Sequence, residues 1–188
     1  AKHHIIHLDN YLSELPKAIS MIKMPFWDIH WYYVVKESQK FSKILISGDG
    51  GDELFGGYTF RYKKFLSITS ESSSPLDKVL AYLECHERDR VPDQEKIFNQ
   101  KSNFSWNSIY DLLLPYFDNN LSRLEQVFLA DYNGKLLYNF NPINTQVIKK
   151  FNMELFTPLL SNHLLESAPH MKKSLKYDVT NDIGKLPL

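Results

Sequence analysis

The sequence predicts an α/β protein that has a partial parallel sheet and a mostly helical C-terminal half. In the first part of the chain, short apolar runs alternate with segments whose apolar residues recur at helical spacing. One of these runs leads directly into a glycine-rich loop, and the helical pattern dominates after a serine-rich stretch. Strands that alternate with helices are typical of a parallel sheet. The chain has 188 residues and is 43% hydrophobic, which is enough to bury one core.

Two strands and two helices are predicted before residue 47. Residues 4–8 form an apolar run that fits a buried strand, and residues 11–22 have helical spacing that is interrupted by Pro16. A second helix is predicted from Asp28, a suitable N-cap, through residue 38. Residues 43–46 are the second predicted buried strand.

The second half begins at a serine cluster, residues 67–74, which is predicted to be a surface loop. Ser74 is a predicted N-cap, and Pro75 is the predicted first residue of the helix that follows. Further helical segments are expected around residues 93–98, 106–117, 121–132, 142–151 and 161–167. The back half is therefore predicted to be a helical layer that packs on the sheet.

The composition restricts the cellular compartment and the binding partners that we expect. Lysine plus arginine (22) equals aspartate plus glutamate (22), so no net charge favours nucleic acid, and no run of 18 apolar residues indicates a membrane span. Cys85 has no second cysteine with which to form a disulfide, and no secretory signal is present. We expect a cytoplasmic protein without nucleic-acid or membrane partners. Because Ala1 is not an initiator Met, we expect a fragment of a longer protein.

The most informative residues follow the strand at 43–46 and read Ser-Gly-Asp-Gly-Gly-Asp-Glu-Leu-Phe-Gly-Gly-Tyr over 47–58. Glycines after a parallel strand let the backbone approach a ligand, and the next helix offers free N–H groups to an anion. The loop has no Walker lysine and carries three carboxylates within five residues. A nucleotide would therefore need magnesium, which Asp52 and its neighbours can bind. A glycine turn whose acidic side chains cap the next helix is the alternative.

These twelve residues, with Arg61 and Tyr62 after them, resemble the corresponding segment of asparagine synthetases. The resemblance continues in Glu-Leu-Phe-Thr-Pro at 154–158 and Gly-Lys-Leu-Pro-Leu at 184–188. It implies a partial synthetase domain over 1–188 with the adenine-nucleotide alpha-hydrolase (ATP pyrophosphatase) fold, in which 1–66 is the nucleotide-site portion and 74–188 the helical portion. In that family, ATP adenylates the side-chain carboxylate of aspartate and pyrophosphate leaves. Ammonia from glutamine then displaces AMP from β-aspartyl-AMP to give asparagine.

The resemblance also implies roles for single residues. ATP would be contacted by Ser47, Gly48, Gly50 and Gly51. Asp49, where many family members have Glu, would act in forming and aminating the acyl-adenylate. Asp52 would hold Mg²⁺ on the pyrophosphate, and Glu53 would anchor the loop or the start of the helix. Lys185 would stabilise charge on the phosphate in the transition state.

Three positions depart from the family pattern: Met24 replaces a glutamate, Phe156 an arginine and Ser161 an aspartate. A Ser-Gly-Gly-x-Asp-Ser pyrophosphate loop and an N-terminal glutaminase domain are expected in the full-length parent, so the chain alone is expected to be inactive. The expected partners are aspartate, glutamine-derived ammonia, the glutaminase domain and a second copy in a homodimer. A β-lactam synthetase-like ligase and a non-catalytic binding or assembly module of the same fold are the alternatives.

Overall fold

The computed structural model describes residues 3–8, 11–23, 30–86, 96 and 104–188. In chain order, the α-helices are α1 (Leu15–Ile22), α2 (His30–Ser38), α3 (Gly51–Phe55), α4 (Thr59–Ile68), α5 (Pro75–Glu84), α6 (Trp106–Leu113), α7 (Arg123–Ala130), α8 (Asn141–Lys150) and α9 (Asn162–Ser167). The strands are β1 (Ile44–Ile46), β2 (Glu154–Phe156), β3 (Tyr177–Asp178) and β4 (Ile183–Gly184). A π-helix covers Asp131–Phe140, and short 3-10 helices cover Tyr11–Glu14, Leu114–Tyr116, Pro158–Leu160, Ala168–His170 and Lys173–Leu175.

The chain divides into two compact units. The first consists of Ala1–Asp49 and Leu137–Ser161, and the second of Gly50–Leu136 and Asn162–Leu188. The protein is of mixed α/β type, mostly helical with a small parallel sheet, as the sequence predicts. No helix in the described part of the chain is long and apolar enough to cross a membrane. The division into portions 1–66 and 74–188 stays a prediction.

Two sequence predictions fall on residues that the structure does not describe. The N-cap at Asp28 lies outside the described residues, as does Met24. The helix predicted at 93–98 also lies outside them, apart from Lys96.

The small parallel sheet of the first unit pairs β1 with β2. Leu45 lies beside Leu155 at the centre of the register, and both pack against the apolar core of this unit. Ile44 and Ile46 point to the other face of the strand and are 53% and 70% exposed. The strand predicted at 43–46 is confirmed as β1, but its predicted burial is wrong, because the described elements cover only the Leu45 face.

The strand predicted at residues 4–8 is wrong. Residues 3–8 have no regular secondary structure, and Ile5 is exposed. An apolar run forms a strand only where a neighbouring strand satisfies its backbone N–H and C=O groups. Within the described residues, β1 pairs with β2 alone.

The helices of the first unit form its core. Ile22 of α1, Val35 of α2 and Val147 of α8 are buried together. Pro16 lies in the first turn of α1, where its missing N–H costs no helical hydrogen bond. The segment predicted over 11–22 is therefore a 3-10 turn that continues into α1, and Pro16 does not interrupt it.

Capping boxes begin two helices of the second unit, α5 and α7. The Asp77 N–H donates to Ser74 Oγ, and the Ser74 N–H donates to the Asp77 carboxylate, with Pro75 as the first residue of α5. This confirms the predicted start of that helix. Ser122 and Glu125 form the same capping box at α7. The segments predicted at 106–117, 121–132, 142–151 and 161–167 contain or overlap α6, α7, α8 and α9.

Aromatic rings dominate the core of the second unit. The Tyr62 ring meets the Phe128 ring at 5.1 Å and the Tyr177 ring at 5.3 Å, both edge-on. Tyr177 begins β3, which pairs antiparallel with β4 and sets Tyr177 beside Gly184. The C-terminal segment is therefore held by the core of this unit.

Candidate functional site

The glycine-rich motif crosses the boundary of the two units: Ser47, Gly48 and Asp49 belong to the first, and the residues from Gly50 onward to the second. In the first unit, the Ser47 N–H donates to Phe156 O at 3.0 Å and so extends the pairing of β1 with β2 by one residue. The Asp49 N–H donates to Ser47 Oγ at 3.2 Å. These two bonds fix the backbone of the loop where it leaves the strand.

Gly48 has open space around it. A Cβ at this position would meet no atom of the described residues within 4 Å. Gly48 is also not among the glycines with positive φ, which are Gly50 and Gly56. Neither packing nor backbone conformation requires glycine here, so the space at Gly48 can admit a ligand that approaches the backbone.

Asp49 has a side-chain partner on α8. Asn144 Nδ2 donates to Asp49 Oδ2 at 2.8 Å, and Asn144 is only 8% exposed. The sequence does not predict this residue, because a single amide on a helix belongs to no motif. Only the packing of α8 in the first unit brings it to the loop.

In the second unit, the backbone conformation explains why two positions of the motif are glycines. Gly50 caps α3 with a φ of 88°, and Gly56 ends it with a φ of 71°. These left-handed conformations disfavour any residue with a Cβ. Gly51 is the buried first residue of α3, a helix of five residues. The nucleotide contacts predicted for Gly50 and Gly51 stay a prediction, since their conformation and burial are explained within the unit.

Asp52 and Lys185, which are far apart in the sequence, form an ion pair. Lys185 Nζ lies 2.9 Å from Asp52 Oδ1, and both side chains are partly exposed. The Lys185 N–H donates to Phe55 O at 2.9 Å, which attaches the C-terminal segment to the end of α3. The structure brings the predicted metal ligand and the predicted phosphate-stabilising lysine together, while their roles stay predictions.

Two further glycines allow this approach. A Cβ on Gly57 would lie 1.8 Å from Asp52 Oδ1 and 2.4 Å from Lys185 Cε. A Cβ on Gly184 would lie 2.1 Å from the carbonyl oxygen of Gly56. Real Cβ atoms essentially never approach another atom within 3.0 Å. The ion pair therefore depends on the absence of a side chain at both positions.

Glu53 is buried and is held by Tyr58. The Tyr58 hydroxyl donates to Glu53 Oε1. Burial, and then the Glu53 charge, raise the pKa of Tyr58 well above its ordinary value, so the hydroxyl keeps its proton. Lys135 Nζ lies 3.9 Å from the centre of the Tyr58 ring, and Arg61 Cζ lies 4.4 Å from it. These contacts agree with the anchoring role predicted for Glu53.

The similarity to known proteins extends beyond the motif to the whole chain. Residues 1–188 match the family described as asparagine synthase. The chain belongs to the asparagine synthase family. No solved structure matches the chain.

Curated relatives in the asparagine synthase family match parts of the chain. Asparagine synthetase (glutamine-hydrolyzing) 1 of Bacillus subtilis strain 168 is 31% identical over 134 residues, which are 63% of this chain and 21% of that protein. A putative asparagine synthetase (glutamine-hydrolyzing) of Mycobacterium tuberculosis strain H37Rv is 34% identical over 67 residues, 34% of this chain and 10% of that protein. A protein of the same description from Mycobacterium bovis matches to the same extent. The matched region spans about a fifth or less of the length of these relatives.

Two departures from the asparagine synthetase pattern lie in the first unit. Phe156, in place of an arginine, is the last residue of β2 and is 58% exposed. Ser161, in place of an aspartate, follows the 3-10 helix Pro158–Leu160 and is also exposed. A phenyl ring and a hydroxyl cannot form the ion pairs that arginine and aspartate form. A charged substrate group would therefore need other partners at these positions.

Asp52 has the chemistry of a magnesium ligand. The described residues contain no group of three or more His, Cys, Asp or Glu side chains that could hold a metal ion, so they do not build a site from protein ligands alone. Magnesium at nucleotide sites typically takes one or two carboxylates together with phosphate oxygens and water. Asp52, as a partly exposed carboxylate, fits that mode.

Proposed function

We propose that the full-length protein that contains this chain uses ATP to convert the side-chain carboxylate of aspartate into an amide. ATP adenylates the carboxylate, pyrophosphate leaves, and ammonia displaces AMP from β-aspartyl-AMP. The observation that carries the proposal is the ion pair of Asp52 and Lys185, set by a motif within a chain that matches the asparagine synthase family from end to end. Because the chain spans only part of its relatives, the activity is proposed for the whole protein.

The fold that we propose for the parent is that of the ATP pyrophosphatases. The parallel pairing of β1 with β2 supports it, since the motif follows directly at the end of β1. ATP would bind along the loop that contains Ser47, Gly48, Gly50 and Gly51. The open space at Gly48 supports this, because it leaves room for a ligand against the backbone.

In the first chemical step, a carboxylate oxygen of aspartate attacks the α-phosphorus of ATP, and the bond from that phosphorus to the pyrophosphate oxygen breaks. Lys185 stabilises the negative charge that develops on the phosphate oxygens. Asp52 would hold Mg²⁺, which neutralises phosphate charge when bound. The partial exposure of both side chains supports these roles, since each can reach a ligand.

In the second step, ammonia attacks the acyl carbon, the bond from that carbon to the AMP oxygen breaks, and the nitrogen loses a proton. Asp49 acts on the acyl-adenylate, as the acceptor of this proton. The proposal also includes ammonia from glutamine, an N-terminal glutaminase domain, a homodimer and a cytoplasmic location. The names of the relatives, which are glutamine-hydrolyzing asparagine synthetases, support the glutamine part.

The products of the reaction test this proposal. The full-length protein, supplied with ATP, magnesium, aspartate and ammonium, should release AMP and pyrophosphate in equal amounts and form asparagine. Glutamine should replace ammonium. Release of ADP and orthophosphate would contradict the mechanism. AMP release with another carboxylic acid, but not with aspartate, would favour a β-lactam synthetase-like ligase, and no ATP consumption with any acid would favour a non-catalytic module.

A further inference from the structure

Asn144 is a buried amide in an apolar setting. It lies on α8 beside Ile143, and Ile143, Val147 and Ile148 of the same helix belong to the core of the first unit. A buried amide costs free energy unless it forms hydrogen bonds. The hydrogen bond that Asn144 forms joins its Nδ2 to Asp49 Oδ2 at 2.8 Å.

The fold of the unit does not need an amide at this position. Asn is a weaker helix former than Ala, and burying an amide costs free energy that an apolar side chain would not. The loop, in contrast, gains a hydrogen-bond donor for Asp49 from the Asn144 amide. The backbone bond from Asp49 to Ser47 Oγ fixes the main chain, but the carboxylate direction depends on a side-chain partner.

The contact also leaves one oxygen of the carboxylate available. Asp49 Oδ1 accepts no hydrogen bond from the residues that the structure describes, whereas Oδ2 is held by the amide. An N–H donor to a carboxylate forms a charge-assisted hydrogen bond, which is stronger and more directional than a neutral one. Asn144 thus restrains the position of Oδ2, and within the described part of the chain Oδ1 stays available to a ligand.

We propose that Asn144 is a positioning residue for Asp49, which it holds in the orientation that the amide-forming reaction needs. The inference rests on the proposed function, in which Asp49 acts on the acyl-adenylate. Asn144 itself touches no reacting atom. Its loss should therefore lower kcat without changing nucleotide affinity or the stability of the protein.

The test uses Asn144→Ala and Asn144→Asp in the full-length protein. The first removes the amide, and the second keeps its shape but replaces the donor with a carboxylate. For Asn144→Ala, kcat should fall by about tenfold to a hundredfold, the effect of one hydrogen bond to a charged group, and Asn144→Asp should lose at least as much. KM for ATP should stay at its wild-type value in both variants. The unfolding temperature should stay unchanged in Asn144→Ala, whereas in Asn144→Asp a second buried carboxylate that faces Asp49 should lower it. Gln146→Ala, which removes another amide from α8, should leave all three unchanged and serves as the matched control.

A double-mutant cycle separates this inference from the proposed function. In an Asp49→Asn background, Asn144→Ala should change the single-turnover rate by less than about twofold, because residues that act together are not additive. An equal loss in both backgrounds, or a kcat loss of Asn144→Ala that follows a fall in its unfolding temperature, would overturn the positioning role and leave the role of Asp49 intact. A wild-type rate for Asp49→Asn would overturn the role of Asp49 and the inference with it.

Discussion

The two units of the chain differ in the charged groups that they enclose and in how their sheets are covered. The second unit encloses even charged groups, since Glu53, Asp131 and Lys176 are all buried. The first unit leaves large apolar side chains of its sheet in the open, among them Ile46 and Phe156. Burial of apolar surface is the main stabilising contribution to a fold. The small parallel sheet of the first unit therefore has an apolar face that the described residues leave uncovered.

The same difference divides the glycine-rich motif. In the second unit, Gly50 and Gly56 take left-handed conformations, and Gly57 makes room for the ion pair of Asp52 and Lys185. In the first unit, nothing in the described residues requires the glycine at position 48. The chain's own conformation and packing explain the glycines of the second unit, whereas Gly48 is left for the proposed ligand.

The largest effect is expected for Lys185→Met. The substitution removes the charge at the ion pair, and synthesis by the full-length protein should fall roughly 100- to 1,000-fold, the effect of losing one transition-state charge stabiliser. The free energy of unfolding should change by less than about 1 kcal/mol, since the pair with Asp52 is partly exposed to solvent. Steady-state kinetics and chemical unfolding measure the two quantities.

Lys63→Met is the matched control for this change. Lys63 also forms an ion pair in the second unit, with Asp182 at 3.9 Å, but unlike Asp52 this partner lies outside the glycine-rich motif. Its substitution should leave the rate of synthesis unchanged. If both variants lose activity equally, general surface charge is the cause, and the phosphate-stabilising role of Lys185 is wrong.

The next largest effect is expected for Asp131, a buried carboxyl of the second unit. Burial raises the pKa of the Asp131 carboxyl to about 6 from its ordinary 3.8, although a hydrogen bond from the Tyr82 hydroxyl at 2.8 Å opposes the shift. The folded state therefore binds more protons than the unfolded state between about pH 4 and pH 6. The contribution of Asp131 to stability is fully present below pH 3.8 and is lost as the pH rises through about 6. Two pKa units correspond to about 3 kcal/mol.

Asp131→Asn removes this pH dependence. The free energy of unfolding of the wild type minus that of the variant should fall by about 3 kcal/mol between pH 4 and pH 7. His86, whose pKa burial lowers to about 3, acts with the opposite sign in this range, but it is present in both proteins and cancels in the difference. Tyr82→Phe removes the opposing hydrogen bond and should move the window to higher pH. If the difference in unfolding free energy does not change with pH, burial does not raise the pKa of the Asp131 carboxyl.

The sequence predicts elements whose cause is local. The start of α5 follows from Ser74, Pro75 and Asp77, which lie next to one another and need no tertiary contact to form the cap. The strand predicted at residues 4–8 is wrong for the opposite reason. Their apolar pattern is compatible with a strand, but a strand requires a partner, and the sequence pattern does not show whether one is present.

The candidate site is predictable to a similar extent. Asp49 and Asp52 come from the motif at 47–58 and Lys185 from the stretch at 184–188, both of which resemble the family, and the structure adds that Asp52 and Lys185 meet. Asn144 cannot be predicted, because its contact with Asp49 depends on how α8 packs and joins positions far apart in the chain. The strand β2 is missed as well, since three residues are too short for a periodic signal.

The smallest effects compare two glycines of the site. In Gly184→Ala, the new Cβ would meet the Gly56 carbonyl oxygen at 2.1 Å and Thr59 Cγ2 at 2.9 Å. Backbone cannot give way as a flexible side chain does, so the variant should lose about 2 kcal/mol of stability, as overpacked sites do. Chemical unfolding measures the loss. A stability equal to that of the wild type would mean that the C-terminal segment is not held against α3 as the structure has it.

Gly48→Ala is the corresponding variant in the first unit. Its outcome decides whether the open space at Gly48 serves a ligand. No described atom lies within 4 Å of the new Cβ, and φ is not in the left-handed region, so stability should stay unchanged or rise by about 0.4–1 kcal/mol. The methyl group would, however, occupy the space that the proposed nucleotide needs. Calorimetric titration of the full-length protein with ATP and magnesium should show affinity about tenfold weaker, or about 1.4 kcal/mol. Wild-type affinity would place the nucleotide elsewhere, and a loss of stability would mean that another part of the protein already covers Gly48.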